Sequence, residues 1–446
     1  MGEQRDAWGD RLPRSVGLIG AVTVLVGTTI GSGIFRVPAA VAREVGEPGP
    51  FILIWIAGGV LALFGALTMA ELAAMFPRSG GVFAFLEEGT GRLSAFLFGW
   101  SQLVVIRASA LGAISTIFAE YLGHFVSLSP REIQYVAAGV ILTVGTLNYI
   151  GVKKAGALMN VATFAKYAAL VLLVVLAFGS SGGSTANFSP AFSGGLPISG
   201  MTIALVSIMW AYDGWADLTY MAGEVKDPSR VLPRALILGT VAIIAIYVAV
   251  NAAYLYLVPL AEMAESPLIA STAVERIPLL GSAGASVIAL VVMLSTFSSV
   301  NGSMMTSPRI FFAMADRGLF LRGVARVSPR FNSPSAAIWL AVALGVTYVL
   351  FNDFQQLAEK FILGIWPFYI LAVFGIFRLR KRLPDAPRPY RTWGYPVVPI
   401  LFLLAATGMV LNALITDPLN TGITFGIILA GIPVFMIWRR RERVDC

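Results

Sequence analysis

The chain has 446 residues, of which 57% are apolar and only 13% charged, with a mean hydropathy of +0.80. A soluble domain carries roughly 25% charged residues, so this composition excludes an ordinary water-soluble fold and makes lipid the solvent. The net charge of +8 does not indicate nucleic acid, because the basic residues alternate between the two sides of a membrane instead of gathering on one surface.

A membrane span needs about 20 mostly apolar residues. Twelve such stretches run in chain order at 15–43, 50–76, 95–122, 133–151, 156–178, 199–222, 234–259, 282–306, 335–352, 358–377, 396–415 and 419–438. The loops between them are too short for a separate soluble domain. The first stretch continues too far for a signal-peptide core and has no small-residue cleavage site after it, so it is expected to stay in the mature protein. With the N-terminus inside, 25 of the 32 Lys and Arg residues fall in inner segments. The outer segments hold only Arg43, Arg131, Arg276 and Lys360, while Arg36, Arg107 and Lys166 lie within spans. The positive-inside rule then puts both termini, tail 1–14 and the basic tail 439–446, in the cytoplasm. The expected location is the cell (inner) membrane.

A membrane hydrolase or metalloenzyme needs a nucleophile with its base, or clustered His, Cys and carboxylates. The single histidine, His124, lies at the outer end of the third span, where a solvated side chain is the expected state. The only cysteine is Cys446, which excludes a disulfide framework and a cysteine metal site. A TVGYG-type channel filter is absent as well. No catalytic residue, metal or cofactor is therefore expected.

The first span is interrupted by Gly27-Thr28-Thr29-Ile30-Gly31-Ser32-Gly33-Ile34-Phe35, with three glycines in seven residues from Gly27 to Gly33. Such a density weakens a helix. One reading is close helix packing through small residues; the other is an unwound segment whose backbone binds a ligand, with Arg36 and Pro38 starting a second half-helix. The sixth span repeats the feature, as apolar Met201 to Met209 gives way to Trp210-Ala211-Tyr212-Asp213-Gly214-Trp215 and then to Asp217, Thr219 and Glu224. Irregular backbone at membrane depth survives only inside protein or against a watery cavity, and intramembrane carboxylates mark function. Interruptions in spans one and six point to inverted five-helix repeats with a site at the midplane. The helix beginning after Gly33 offers free N–H groups and a positive dipole end for a carboxylate. Carbonyls near Thr28 and Trp210 are left for an ammonium group, so a zwitterion fits between them.

These residues resemble the amino acid, polyamine and organocation transporter superfamily, and within it the L-type amino acid transporters and their bacterial relatives. The likeness covers almost the whole chain: Gly31 to Phe35, Glu71-Leu72-Ala73 with Pro77 to Gly81, Val105-Ile106-Arg107, Asn148 to Lys153, Ala211 to Trp215, Glu224 to Pro228 with Leu232-Pro233-Arg234, and Leu294 to Phe297 with Val300 to Ser303. It implies an all-α polytopic protein of twelve transmembrane helices with a LeuT-like 5+5 inverted repeat, broken helices 1 and 6, and helices 11 and 12 outside the repeat. The segments are then 15–178, 199–377 and 396–438. The resemblance implies that Gly31, Ser32 and Gly33 hold a substrate carboxylate, that carbonyls near Thr28 and Thr29 and near Trp210 take the amine, and that Trp210 acts as a lid. Tyr212, Asp213 and Gly214 join this substrate-binding set. Trp366 matches a pocket aromatic and the small residues Ser109 and Ala110 lie where side-chain space is shaped, with ordinary bundle packing the alternative for Trp366 and Ser109.

Asp213 either caps the following half-helix, as aspartate does well, or selects a cationic side chain. Glu224 is either part of an inner gate or a plain interfacial charge. Lys166, about ten residues into the fifth span, is too deep to snorkel and should have partners. Thr296, Ser299 and Ser303 follow i, i+3, i+7 spacing on the eighth span. The resemblance implies that the Lys166 ammonium stands where sodium-coupled relatives of this fold hold a cation between helices 1 and 8; the alternative is a lysine that only ties the bundle. Animal members bind a glycoprotein subunit through a cysteine in the loop at about 123–132, where this chain has none, so no disulfide-linked heavy subunit is expected. The expected partners are an amino acid substrate and the lipid bilayer. The expected function is sodium-independent, alternating-access transport of neutral L-amino acids, as permease or exchanger; the alternatives are a cationic amino acid or polyamine transporter and a nutrient receptor that does not transport.

Overall fold

The computed structural model describes residues 14–150, 152–266, 268–281, 283–331 and 333–444. Most of the N-terminal tail and Cys446 lie outside the described residues. Apart from one isolated parallel bridge between Val16 and Val225, the described residues contain no β structure. In lipid every backbone polar group must be satisfied within the chain, which leaves the helix as the solution for single apolar segments.

The helices, in chain order, are α1 (Leu18–Thr29), α2 (Gly33–Val45), α3 (Pro48–Met75), α4 (Val82–Gly89), α5 (Arg92–Leu122), α6 (Pro130–Ile150), α7 (Val152–Phe178), α8 (Ile198–Tyr212), α9 (Asp217–Tyr220), α10 (Pro228–Leu257), α11 (Ala283–Thr306), α12 (Pro308–Asp316), α13 (Ser335–Phe351), α14 (Phe354–Arg382), α15 (Val397–Thr416), α16 (Pro418–Leu429) and α17 (Gly431–Val444). Nine helical stretches among the described residues are long and apolar enough to cross a membrane, and α1 with α2 makes a tenth, bent by 43° at its break. Two shorter apolar helices, α8 and α13, occupy the sixth and ninth predicted stretches.

Local chemistry fixes several ends. Gly46, at φ +66°, closes α2 in the left-handed conformation that glycine adopts without strain. Asp353 and Gln356 form a reciprocal capping box at the start of α14, and Arg380, Lys381 and Arg382 sit in its last turn, where cations suit the negative end of the helix dipole.

The two breaks meet in the middle of the bundle. α1 packs against α7, α10 and α11, and α2 packs against α8. A Cβ built on Gly33 would lie 2.5 Å from the Cα of Ala211. Gly214, at φ +114°, presses on the facing break, where an added Cβ would stand 2.8 Å from the Thr29 nitrogen. Glycine is required at both points because backbone meets backbone. At one end of the bundle the chain before α1 is tied to the segment after α9: Ser15 and Val16 N–H each donate to the Glu224 carbonyl at 2.9 Å, and Lys226 N–H donates to the Val16 carbonyl at 2.8 Å.

Candidate functional site

α1 ends because its last carbonyls are drawn sideways. Gly27 O accepts from Lys166 Nζ at 2.7 Å and from Ser299 Oγ at 2.9 Å, and Ile30 O accepts from Lys166 Nζ at 2.5 Å, Ser299 Oγ at 3.0 Å and Ser295 Oγ at 3.1 Å. Thr29 O and Ala211 O, one from each break, both accept from the Tyr247 hydroxyl, at 3.0 and 3.1 Å. The carbonyls of Thr28 and Trp210 have no hydrogen-bond partner among the described residues. On the other side of the break, Ser32, Gly33 and Ile34 open α2, so their N–H groups precede the first intrahelical acceptor.

These groups border a small cavity whose water-accessible volume is about 40 Å³. Of the predicted residues it is lined by Thr28, Thr29, Gly31, Ser32, Gly33, Ala110, Trp210, Asp213, Gly214, Ser299 and Ser303. Trp210 separates it from a second cavity of about 310 Å³ bordered by Arg36, Phe354, Glu359 and Asp417. The indole stands edge-on to Phe361 at 5.1 Å and to Phe354 at 6.0 Å. Arg36 lies over the Phe354 ring at 4.5 Å and pairs with Glu120. An aromatic partition backed by one ion pair thus closes the small cavity on that side.

Other predicted residues stand elsewhere. The Tyr212 hydroxyl donates to the Trp55 carbonyl at 3.1 Å and its ring packs on Trp55 and Tyr247, so it braces α8 against α3 and α10 away from the cavity. Trp366 stacks on Phe402 at 5.8 Å and does not border the cavity, nor does Ser109, which is fully buried. Thr296 Oγ1 bonds back to Val292 O at 2.8 Å within its own helix, so the polar stripe of α11 runs through Ser295, Ser299 and Ser303. Asp213 does not cap α9: Ala216 holds that position without a side-chain cap, and Asp213 Oδ1 accepts from the Tyr369 hydroxyl at 3.1 Å. Glu224 is no interfacial charge, being buried and held by Arg309 at 2.8 Å and 3.3 Å. No group of three or more His, Cys, Asp or Glu that could hold a metal occurs among the described residues.

The principal addition is a buried ion pair in the cavity wall. Arg107 and Asp217 both line the cavity, and the Arg107 guanidinium grips Asp217 with two nitrogens at 3.0 and 2.5 Å. A π-helical turn, Gln102–Ile106, puts Gln102 and Arg107 five residues apart on one face, and Gln102 Oε1 accepts from Arg107 Nε at 2.9 Å. Such turns occur often at functional sites. A signal for the pair existed, since charges within spans need partners. Phe361, an apolar residue on an apolar helix, gave none.

A family model described as amino acid permease matches residues 16–438. The serine/threonine exchanger SteT of Bacillus subtilis is 32% identical over 436 residues, covering 97% of this chain and 98% of that protein. The human b(0,+)-type amino acid transporter 1 is 32% identical over 91% of this chain and 84% of its own length. The human cystine/glutamate transporter is 33% identical over 97% of this chain and 87% of its own length. The chain belongs to the amino acid permease family of the amino acid, polyamine and organocation superfamily, multi-pass membrane proteins that transport amino acids and are not enzymes.

Proposed function

We propose that the chain is a sodium-independent carrier of neutral L-amino acids that works by alternating access. The observation that carries this reading is the small cavity between the breaks, with the open N-terminus of α2 on one side and the unpartnered carbonyls of Thr28 and Trp210 on the other. A carboxylate is favoured at a helix N-terminus and an ammonium at free carbonyls, so the backbone of a free amino acid fits both. Neutrality of the side chain is supported by the fork-like pairing of Arg107 with Asp217, which leaves the cation of the wall already compensated. Sodium independence is supported by Lys166, whose ammonium reaches Gly27 O, Ile30 O and Ser299 Oγ, the kind of oxygen cluster that holds a small cation.

In this reading the chain follows the LeuT-like plan, with repeats 15–178 and 199–377, helices 396–438 outside them, and both termini in the cytoplasm. No disulfide-linked subunit is needed, since Cys446 is the only cysteine. The wall also supports a second reading. Asp213 borders the cavity with one oxygen held by Tyr369, and its carboxylate suits a cationic amino acid; a b(0,+)-type relative is among the similar proteins. A counterflow panel of the twenty amino acids in proteoliposomes, with and without a sodium gradient, tests both. Counterflow by small neutral amino acids without sodium is expected. A response confined to lysine and arginine would favour the second reading, and a sodium requirement would overturn the first.

A further inference from the structure

Arg107 is the one cation bordering the small cavity among the described residues, and all of its nitrogens are engaged there. Nε donates to Gln102 at 2.9 Å, Nη1 to Asp217 Oδ2 at 3.0 Å and Ser303 Oγ at 3.3 Å, and Nη2 to Asp217 Oδ1 at 2.5 Å. Thr306 Oγ1 adds a bond to Asp217 Oδ2 at 3.3 Å. Both charged side chains are 3% exposed. The two-nitrogen, two-oxygen geometry is the way a guanidinium takes any carboxylate. Asp217 therefore occupies, from within the chain, the seat that a substrate's side-chain carboxylate would take if the arginine were unpaired.

We propose that Asp217 sets the charge selectivity of the cavity by occupying Arg107, and so bars amino acids with acidic side chains. The proposal rests on the reading of this cavity as the substrate site. Removing the Asp217 carboxylate leaves the buried guanidinium without its bidentate partner, with Asp213, held by Tyr369, as the remaining carboxylate of the wall, and a buried charge so deprived is costly enough to recruit an external partner. Asparagine keeps the shape of aspartate and abolishes its charge. A glutamate substrate then supplies the missing anion, whereas glutamine, of the same shape, does not. The converse substitution, Arg107→Gln, leaves Asp217 uncompensated beside Asp213 and favours a cationic side chain.

The test uses purified full-length protein in proteoliposomes, with counterflow of the labelled neutral amino acid that the parent carries best, and unlabelled L-glutamate, L-glutamine and L-lysine as competitors. In the parent, glutamine competes and glutamate does not. Asp217→Asn is expected to raise glutamate competition relative to glutamine by at least about tenfold, the factor that corresponds to 1.4 kcal/mol, and Asp217→Glu is expected to go on refusing glutamate. If Asp217→Asn is not recovered as monodisperse protein, Arg107→Gln carries the test, with lysine competition expected to rise about tenfold. An Asp217→Asn protein that runs counterflow with an unchanged glutamate-to-glutamine ratio overturns the proposal, as does Arg107→Gln without a gain in lysine. A parent that shows no counterflow with any amino acid overturns the reading of the cavity instead.

Discussion

The Lys166 Nζ lies 2.7 Å from the carbonyl oxygen of Gly27, 139 residues away in the chain, and 3.3 Å from Ser299 Oγ. One side chain thereby joins three helices at the point where α1 stops. Lys166→Ala leaves Gly27 O and Ile30 O with only the serine hydroxyls of α11. A hydrogen bond is worth about 0.5–1.5 kcal/mol net, so the loss of the two short bonds to Gly27 O and Ile30 O is expected to lower turnover by about tenfold. Equilibrium binding should fall less, because Lys166 itself does not border the cavity and reaches its wall only through Ser299. Parallel measurement of initial uptake rate and of substrate affinity separates the two, and a variant with normal turnover removes the assignment.

At Gly33 even one methyl group is too many, since its Cβ would come within 2.7 Å of the Ala211 Cβ and closer still to the backbone. Gly33→Ala should reduce uptake sharply and Gly33→Leu should abolish substrate binding, with both proteins still inserted. Retained affinity in Gly33→Leu, read by ligand-dependent thermal stabilisation, would show that the two breaks need not stay in contact.

The Trp210 ring makes two edge-on contacts across the partition. Such pairs contribute about 0.5–1.5 kcal/mol each beyond area burial, so Trp210→Ala should shorten retention of bound substrate roughly tenfold and broaden the accepted side chains. Phe361→Ala should do the same in weaker form. An unchanged efflux half-time in both returns the rings to simple packing.

Tyr369 Oη donates to Asp213 Oδ1 at 3.1 Å. Asp213→Asn preserves the oxygen that accepts this bond and removes the charge. Uptake of neutral amino acids is expected to persist in the variant. Loss of lysine transport from a parent that carries it would assign Asp213 to recognition of a cation.

Glu224 and Arg309 are buried together, with 3% and 0% of their side chains exposed. Breaking one partner of such a pair costs about 3–5 kcal/mol. Glu224→Gln is thus expected to lower the detergent unfolding temperature markedly, and Glu224→Gln with Arg309→Met to recover most of that loss. Strict additivity of the two substitutions would argue that the pair is not coupled.

The membrane class and the positions of both breaks were legible in the sequence because apolar length, the glycines clustered in the first span and the Asp213-Gly214 pair in the sixth are local signals. Lys166 was legible for a different reason: a charge so deep in a span must find oxygen partners, and few are free. Its expected neighbour Thr296 was misplaced because helical spacing names a face, not the side chain that points across it; Ser295, one residue earlier, faces the break instead, its hydroxyl donating to Ile30 O and its carbonyl accepting from Lys166 Nζ at 3.5 Å. The same limit applies to Tyr212 and Trp366, which belong to aromatic clusters with Trp55 and Phe402 that only the tertiary packing reveals. The bond from Arg107 to Gln102 depends on a π-helical turn, a register shift that composition does not encode.

The three main-chain hydrogen bonds joining Ser15 and Val16 to Glu224 and Lys226 involve no side chain. Substitution at Ser15, Val16 or Lys226 therefore leaves the tie in place, except by proline, which lacks an N–H and deletes one of the three bonds outright. Side-chain changes at Ser15, Val16 and Lys226 thus leave the mechanical linkage between the roots of the two interrupted spans in place, while the Glu224 side chain remains committed to Arg309.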